Sequence, residues 1–380
     1  MIFEIRNAGF VNRGAFLMLL SVAAECRSRH SDCVISMVPS APSGHQPFHL
    51  LAKAGFFPRI GVDRFSGLLN GFGAFVPERL RRRYGLILED EVQVVFDAAG
   101  FAYGDPWPES NLRSLAVAAR RAAKRDARFF LLPQSFGSFS SRTSRSLIKS
   151  IAESTTWIFP RDAKSLNNLS EVIGAHPRMS VAPDFTSLLP AVIPAEAERF
   201  KNVVAIIPNA KMLERTDEAT KKNYLPFLAT VIRSIKSVGL DPCIFVHEGS
   251  DDKYVSTRLA YLAPDTPVID EPNPVALKGI LGSCYACIGS RYHGLVSCLS
   301  QGVPSLATTW SSKYESLLTS YGIRDGLLEL THPETAIGRV ERWLQHDLGD
   351  RGLRDSLLSR ALSEQQQTRA MWQQIFGSQP

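Results

Sequence analysis

The residues of this chain best suited to chemistry are Arg291 and His293, two positions apart in the stretch Gly289-Ser-Arg-Tyr-His-Gly294. A guanidinium grips a carboxylate or phosphate through a planar fork, and an imidazole carries a proton near neutral pH. The apolar residues Ala286 to Ile288 predict a strand, the small residues after them a turn, and the spacing of Val296 and Leu299 a helix that opens at Arg291. A helix N-terminus leaves backbone N–H groups without partners, so both side chains would stand beside a ready anion site. Gly294 removes a side chain where a ligand could approach, and Gly302-Val-Pro304 stops the helix. The chemistry on offer is anion binding with a proton donor next to it.

The elements that must position these residues alternate along the whole chain. Short apolar runs predict strands near 1–5, 33–38, 92–97, 128–133, 156–159 and 179–182, then near 203–207, 243–247, 267–270, 286–289 and 304–308. Helical periodicity lies between them, at 13–28 and 110–125 in the first half and near 217–237, 251–261, 274–283, 291–301 and 312–321 in the second. Such alternation predicts an α/β protein of parallel sheets flanked by helices. The stretch 188–197 holds two prolines and no period, which marks it as an interdomain linker. The expectation is two Rossmann-like domains facing across a cleft, the GT-B-type arrangement, over 1–190 and 191–335. Helices over 336–380 would pack on the outside and return toward the first domain. Residues 39–47 and 66–77 read as loops bordering the cleft.

In parallel sheets ligands bind beyond the carboxyl ends of strands, so the polar residues there are the next candidates. Asp97 follows the strand at 92–97, Gln134 and Ser135 the strand at 128–133, Arg161 and Asp162 the strand at 156–159, and Asn209 the strand at 203–207. Each also has a plain structural role open to it. Asp162 with Ser165 reads equally as a helix cap, Gln134 and Ser135 as turn partners, and Asp97 before Gly100 as a turn former. Lys313, in Trp310-Ser-Ser-Lys-Tyr314 after the strand at 304–308, is a point charge suited to phosphate. The adjacent acids Asp251 and Asp252 open a helix after Gly249-Ser250, where capping and the helix dipole account for them.

Composition narrows the remaining classes. A length of 380 residues with 44% hydrophobic and 21% charged residues describes an ordinary globular chain of two domains. No apolar run reaches the roughly 18 residues of a membrane span, and no secretory leader precedes Ile2-Phe3-Glu4-Ile5, so a cytoplasmic protein is expected. Six scattered cysteines form no disulfide framework, and Cys284-x-x-Cys287 lacks a second pair at zinc spacing, so both read as buried thiols and no metal is expected. A net charge of +6 favours anionic partners. The basic run Arg79-Leu-Arg-Arg-Arg83 reads as a solvated helix face or as a contact with the inner membrane surface. No nucleic-acid motif accompanies it, and neither a phosphate-binding P-loop nor a dinucleotide fingerprint occurs.

The stretch 290–314 resembles the C-terminal signature of the polysaccharide pyruvyltransferase family, whose Arg-x-His it repeats as Arg291-Tyr-His293. Weaker resemblances run along most of the chain: Asn12-Arg-Gly-Ala15, Asp97 through Asp105, Gln134-Ser-Phe-Gly137, Phe159-Pro-Arg-Asp162, Ala182-Pro-Asp-Phe185 and Pro208-Asn209. Many relatives have Gly-Asp where this chain has Gly14-Ala15. The resemblance implies an enzyme that moves pyruvate from phosphoenolpyruvate to a sugar of an exopolysaccharide, capsule or cell-wall glycan, free or lipid-linked, as a cyclic ketal. It implies no cofactor beyond phosphoenolpyruvate as co-substrate. His293 and Arg291 would be catalytic, with Ser290, Lys313, Arg161 and Asn209 on the donor and Asp97, Asn12, Gly14 and Gln134 on the acceptor. Two other readings share the architecture: a GT-B-type glycosyltransferase using a nucleotide sugar, and a non-catalytic glycan- or anion-binding protein.

Overall fold

The computed structural model describes residues 1–41, 44–60 and 76–377; of the two expected loops, residues 42, 43 and 66–75 lie outside the described residues. The chain divides into two compact units. One comprises Met1–Val11, Met18–Phe185 and Thr368–Pro380, the other Asn12–Leu17 and Thr186–Gln367.

The first unit is built on six parallel strands: β1 (Ile2–Arg6), β2 (Val34–Met37), β3 (Phe57–Pro58), β4 (Val94–Asp97), β5 (Arg128–Gln134) and β6 (Trp157–Pro160). Their order across the sheet is β3-β2-β1-β4-β5-β6. The second unit holds β7 (Val203–Ile207), β8 (Asp241–Phe245), β9 (Val268–Ile269), β10 (Ala286–Gly289), β11 (Ser305–Thr308) and β12 (Leu327–Leu328), also parallel, in the order β12-β11-β10-β7-β8-β9. Counted from the first strand of each, the two orders are the same doubly wound one. The direction of winding reverses between β1 and β4 in one sheet and between β7 and β10 in the other, and such reversals open the crevices where ligands bind.

Strands covered on both faces must be apolar throughout, and β4 (Val-Val-Phe-Asp) and β7 (Val-Val-Ala-Ile-Ile) are buried at every position. The helix Glu109–Lys124 turns Leu112, Leu115, Ala116, Ala119 and Ala122 inward at helical spacing. Caps fix where helices begin. Asp162 accepts from Ser165 N, Asp217 from Thr220 N, and Asn273, ahead of Pro274, from Val275 N and Ala276 N. In the first unit Phe3, Phe96, Phe130, Trp372 and Phe376 stack through centroid distances of 5.7 to 6.2 Å, which places the end of the long helix Arg351–Gly377 in that core.

Three local expectations change. The edge strands β3 and β12 are two residues long, too short to give any periodic signal. The stretch 179–182 forms only an isolated bridge, Met179 with Ile158: Ser180 N and Ala182 N donate to β6, but Pro160 has no N–H to return the next bond to Ser180 O. The first of the helices expected over 336–380 opens at Pro333, is α-helical only to Arg342 and passes into a π-helical turn at Trp343–Asp347. The stretch 188–197 is docked on the helix Pro274–Ser283: Val192 N donates to Val275 O, and Lys278 Nζ to the carbonyls of Thr186 and Leu189 at 2.8 and 2.6 Å. No helix among the described residues is long and apolar enough to cross a membrane.

Candidate active site

In the second unit the switch point lies between Asn209, just after β7, and Ser290-Arg291, just after β10. Arg291 is the extended N-cap residue of the helix Tyr292–Leu299. Its side chain turns inward, where it pairs with Glu248 and donates to Asp252. Asp252 is buried and also accepts from Ala210 N and Glu248 N, both at 3.0 Å. Burial pushes its carboxyl up, to about 8, against the pull of the Ala210 N–H. Burial also pulls Arg291 down, to about 10, which leaves it a cation at neutral pH. The guanidinium expected to clamp the donor is therefore already satisfied by two carboxylates.

Ser290 and Asn209 are likewise committed inside the protein. Ser290 Oγ accepts from Tyr224 Oη at 2.7 Å and shares a hydrogen bond with Thr308 Oγ1 at 2.6 Å. Asn209 Nδ2 donates to Ser290 O at 2.7 Å while its Oδ1 accepts from Lys211 N at 2.8 Å. Tyr314 Oη donates to Ser290 O at 2.7 Å as well. These bonds tie the ends of β7, β10 and β11 into one rigid floor, and both residues are 1% exposed.

Two of the expected residues keep exposure above this floor. His293 is half-buried on the first turn of its helix, with its ring edge-on to Tyr292 at 5.4 Å. Lys313 is half-buried at the start of the helix Lys313–Ser320, its ammonium 4.7 Å from the Trp310 ring and 5.5 Å from those of Tyr292 and Tyr314. A cation over aromatic faces is held without losing its charge. Beside His293 lies Gly14, which the structure groups with this unit. A Cβ on Gly14 would come within 2.3 Å of His293 Nδ1, so glycine alone admits the imidazole. Asn12 Oδ1 caps this turn through Gly14 N and Ala15 N, and Arg13 anchors it to Asp270 and the Glu271 carbonyl. Asn12 and Gly14, expected on the acceptor side, thus stand next to the histidine.

Sequence reasoning passed over Arg13, His247 and Glu248 and read Asp252 as helix capping. The last three follow β8, and the strand-end rule applied there would have found His247 and Glu248. His247 is buried against Gly294, and burial together with the nearby Arg291, His293 and Arg13 holds its imidazole well below the usual range, hence neutral. The cysteines of the C-x-x-C are buried and form no disulfide, and burial raises the Cys284 thiol, which favours its less reactive neutral form.

The first unit has its own cluster at the equivalent point between β1 and β4. Asn7 takes the left-handed conformation at φ 59, which asparagine tolerates, and its Nδ2 donates to Asp97 at 2.5 Å. Tyr103 Oη donates to the same carboxylate at 3.1 Å. Asp97 is 0% exposed, and burial raises it to about 6 despite Arg6 and these donors. Gln134 is also buried. Arg161, expected on the donor, lies in this unit and pairs with Asp184 at 3.1 Å while donating to Ser135 Oγ at 2.8 Å. The basic run sits on the helix Glu78–Tyr84, with Arg79, Arg82 and Arg83 exposed and Arg81 paired to Glu91.

Two doubly wound domains with polar clusters at their switch points define a GT-B-type protein. Solved structures agree on the fold: Anabaena HepE in complex with UDP and glucose is 10% identical with a TM-score of 0.58, over 99% of this chain and 98% of that one. UDP-GlcNAc 2-epimerase from Neisseria meningitidis bound to UDP-GlcNAc is 9% identical with a TM-score of 0.57, over 99% of this chain and 100% of that one. Within that class the family is specific. The polysaccharide pyruvyl transferase family model matches residues 12–312, and the chain belongs to that family.

Proposed function

We propose that this protein transfers pyruvate from phosphoenolpyruvate to a sugar of an extracellular or cell-wall glycan, forming a cyclic ketal. The observation that carries the reading is His293, half-buried on the first turn of a helix at the β7/β10 switch point, within the segment matched by the family. Phosphoenolpyruvate is an enol phosphate. Protonation of its methylene carbon by His293 creates an oxocarbenium-like centre at the adjacent carbon, a sugar hydroxyl attacks there, phosphate leaves, and a second hydroxyl closes the ring. Lys313 and the N-terminus of the helix Tyr292–Leu299 supply positive charge for the phosphate and carboxylate. Arg291 acts as a positioning residue, its guanidinium joining the β8 turn to the N-terminus of the catalytic helix through Glu248 and Asp252. Asp97 and the polar residues around it shape the acceptor side.

The test is incubation with phosphoenolpyruvate and a panel of glycans in the presence of EDTA, followed for phosphate release and glycan mass. Phosphate release with a pyruvate ketal on the glycan is the expected result. Nucleotide release from a nucleotide sugar would instead make the protein a glycosyltransferase, and saturable glycan binding without turnover would make it a binding protein. Activity that EDTA abolishes and magnesium restores would contradict the metal-free scheme.

A further inference from the structure

A cavity lies in the same unit as His293 but at the amino ends of the strands, opposite the candidate active site. It measures about 840 Å³, within the range of small-molecule sites, and Ser305 at the amino end of β11 lines it. Thr308, which bonds the Ser290 hydroxyl, ends that strand three residues on, about 10 Å away at strand rise. The cavity is thus separate from the candidate active site.

Its charged lining consists of Arg339 and Arg342 with Asp325 and Asp347. Arg339 is half-buried while Arg342, Asp325 and Asp347 are exposed, and among the described residues none of the four makes an ion pair or a side-chain hydrogen bond. Arg339 and Arg342 stand three apart on the helix Pro333–Arg342, the spacing that puts like charges on one face and sets them against each other. An anion between them relieves that repulsion, and two guanidinium forks suit a phosphate or carboxylate. Asp347 closes the π-helical turn, in which Leu348 N bonds Trp343 O at 2.9 Å, a rare geometry that recurs at functional sites. Gly338, one turn before Arg342, is exposed, with nothing within 4 Å of the position a Cβ would take.

We propose that this cavity binds a saccharide carrying one acidic group. The arginines take the acid, and the aspartates accept hydrogen bonds from ring hydroxyls. The two carboxylates select against polyanions such as nucleoside diphosphates, and the two arginines select against neutral sugars. The inference does not depend on the reaction proposed above.

Calorimetry on the full chain with glucose 6-phosphate, glucuronate, glucose and inorganic phosphate tests it, with thermal unfolding as the check on folding. One or both acidic sugars should bind at least tenfold tighter than glucose or phosphate. A tighter phosphate ester identifies a sugar phosphate as the occupant, and a tighter carboxylate an acidic glycan. The double variant Arg339→Ala/Arg342→Ala should weaken that binding at least tenfold. Gly338→Leu, which fills the space and keeps every charge, should do the same, while Lys313→Met should leave it unchanged. Binding indifferent to both cavity variants, binding lost in Lys313→Met, or glucose bound as tightly as the acidic sugars would overturn the proposal.

Discussion

The two sheets place opposite charges at the same topological point. After β1 and β4 the centre is a carboxylate, Asp97, held by the neutral donors of Asn7 and Tyr103. After β7 and β10 it is a cation, Arg291, held by Asp252 and Glu248. Both central groups are buried, and neither is placed to meet a ligand first. The second cluster adds two half-buried groups on top of its framework, the His293 imidazole and the Lys313 ammonium. A strand-end position therefore tells where polar groups gather, while burial and partners decide which of them are left for chemistry.

The largest effect that could break this comparison is at Arg291. Losing a hydrogen bond to a charged group costs about 1.5 to 3 kcal/mol, and Arg291 makes two, to Asp252 and Glu248, for about 3 kcal/mol in all. Arg291→Met should shift the urea midpoint by that amount, and a loss under about 1 kcal/mol would mean that the guanidinium is not the centre of the network.

Asp97 gives the pH signature of the opposite cluster. Its folded value of about 6 lies above the ordinary 3.8, so its favourable contribution is complete below 3.8 and disappears as pH rises through 6. The advantage of the wild type over Asp97→Asn should fall between pH 4 and pH 7, by on the order of 3 kcal/mol. A difference that is flat across this range, measured by urea unfolding at each pH, would show that the carboxyl is not forced toward its protonated form.

Lys313 sharpens the contrast between framework and contact. Losing a charged hydrogen bond costs about 1.5 to 3 kcal/mol, so Lys313→Met should weaken phosphoenolpyruvate binding roughly tenfold to a hundredfold with an unchanged unfolding midpoint. Calorimetry showing wild-type affinity would remove Lys313 from the donor site. The smallest effect is expected at Gly14, whose missing Cβ makes room for the histidine. Gly14→Ala should reduce turnover about tenfold and leave phosphoenolpyruvate affinity unchanged; a fall in affinity with turnover intact would assign Gly14 to binding instead.

Much of this fold is legible in the sequence because its central strands are short unbroken apolar runs and its helices carry strong periodicity. Two residues have no period, so of the three two-residue edge strands β3 and β12 are not legible, and only β9 shows, as the apolar pair between Pro267 and Asp270. The candidate site is legible in part. Arg291, His293 and Lys313 share one short stretch, and a turn between strand and helix forces them to one sheet edge. The acids that hold Arg291 come from the β8 turn, about 40 residues earlier in the chain, and Asp252 looks like a simple helix cap until its second partner is seen. Gly14 meets His293 from a distant part of the sequence, a contact that no local pattern encodes.

The central claim is that His293 transfers a proton while the surrounding framework only holds it in place. Single-turnover phosphate release from phosphoenolpyruvate by His293→Gln, with donor binding measured in parallel, addresses it directly. The rate should fall about a hundredfold or more while phosphoenolpyruvate still binds. Release at close to the wild-type rate would contradict the account.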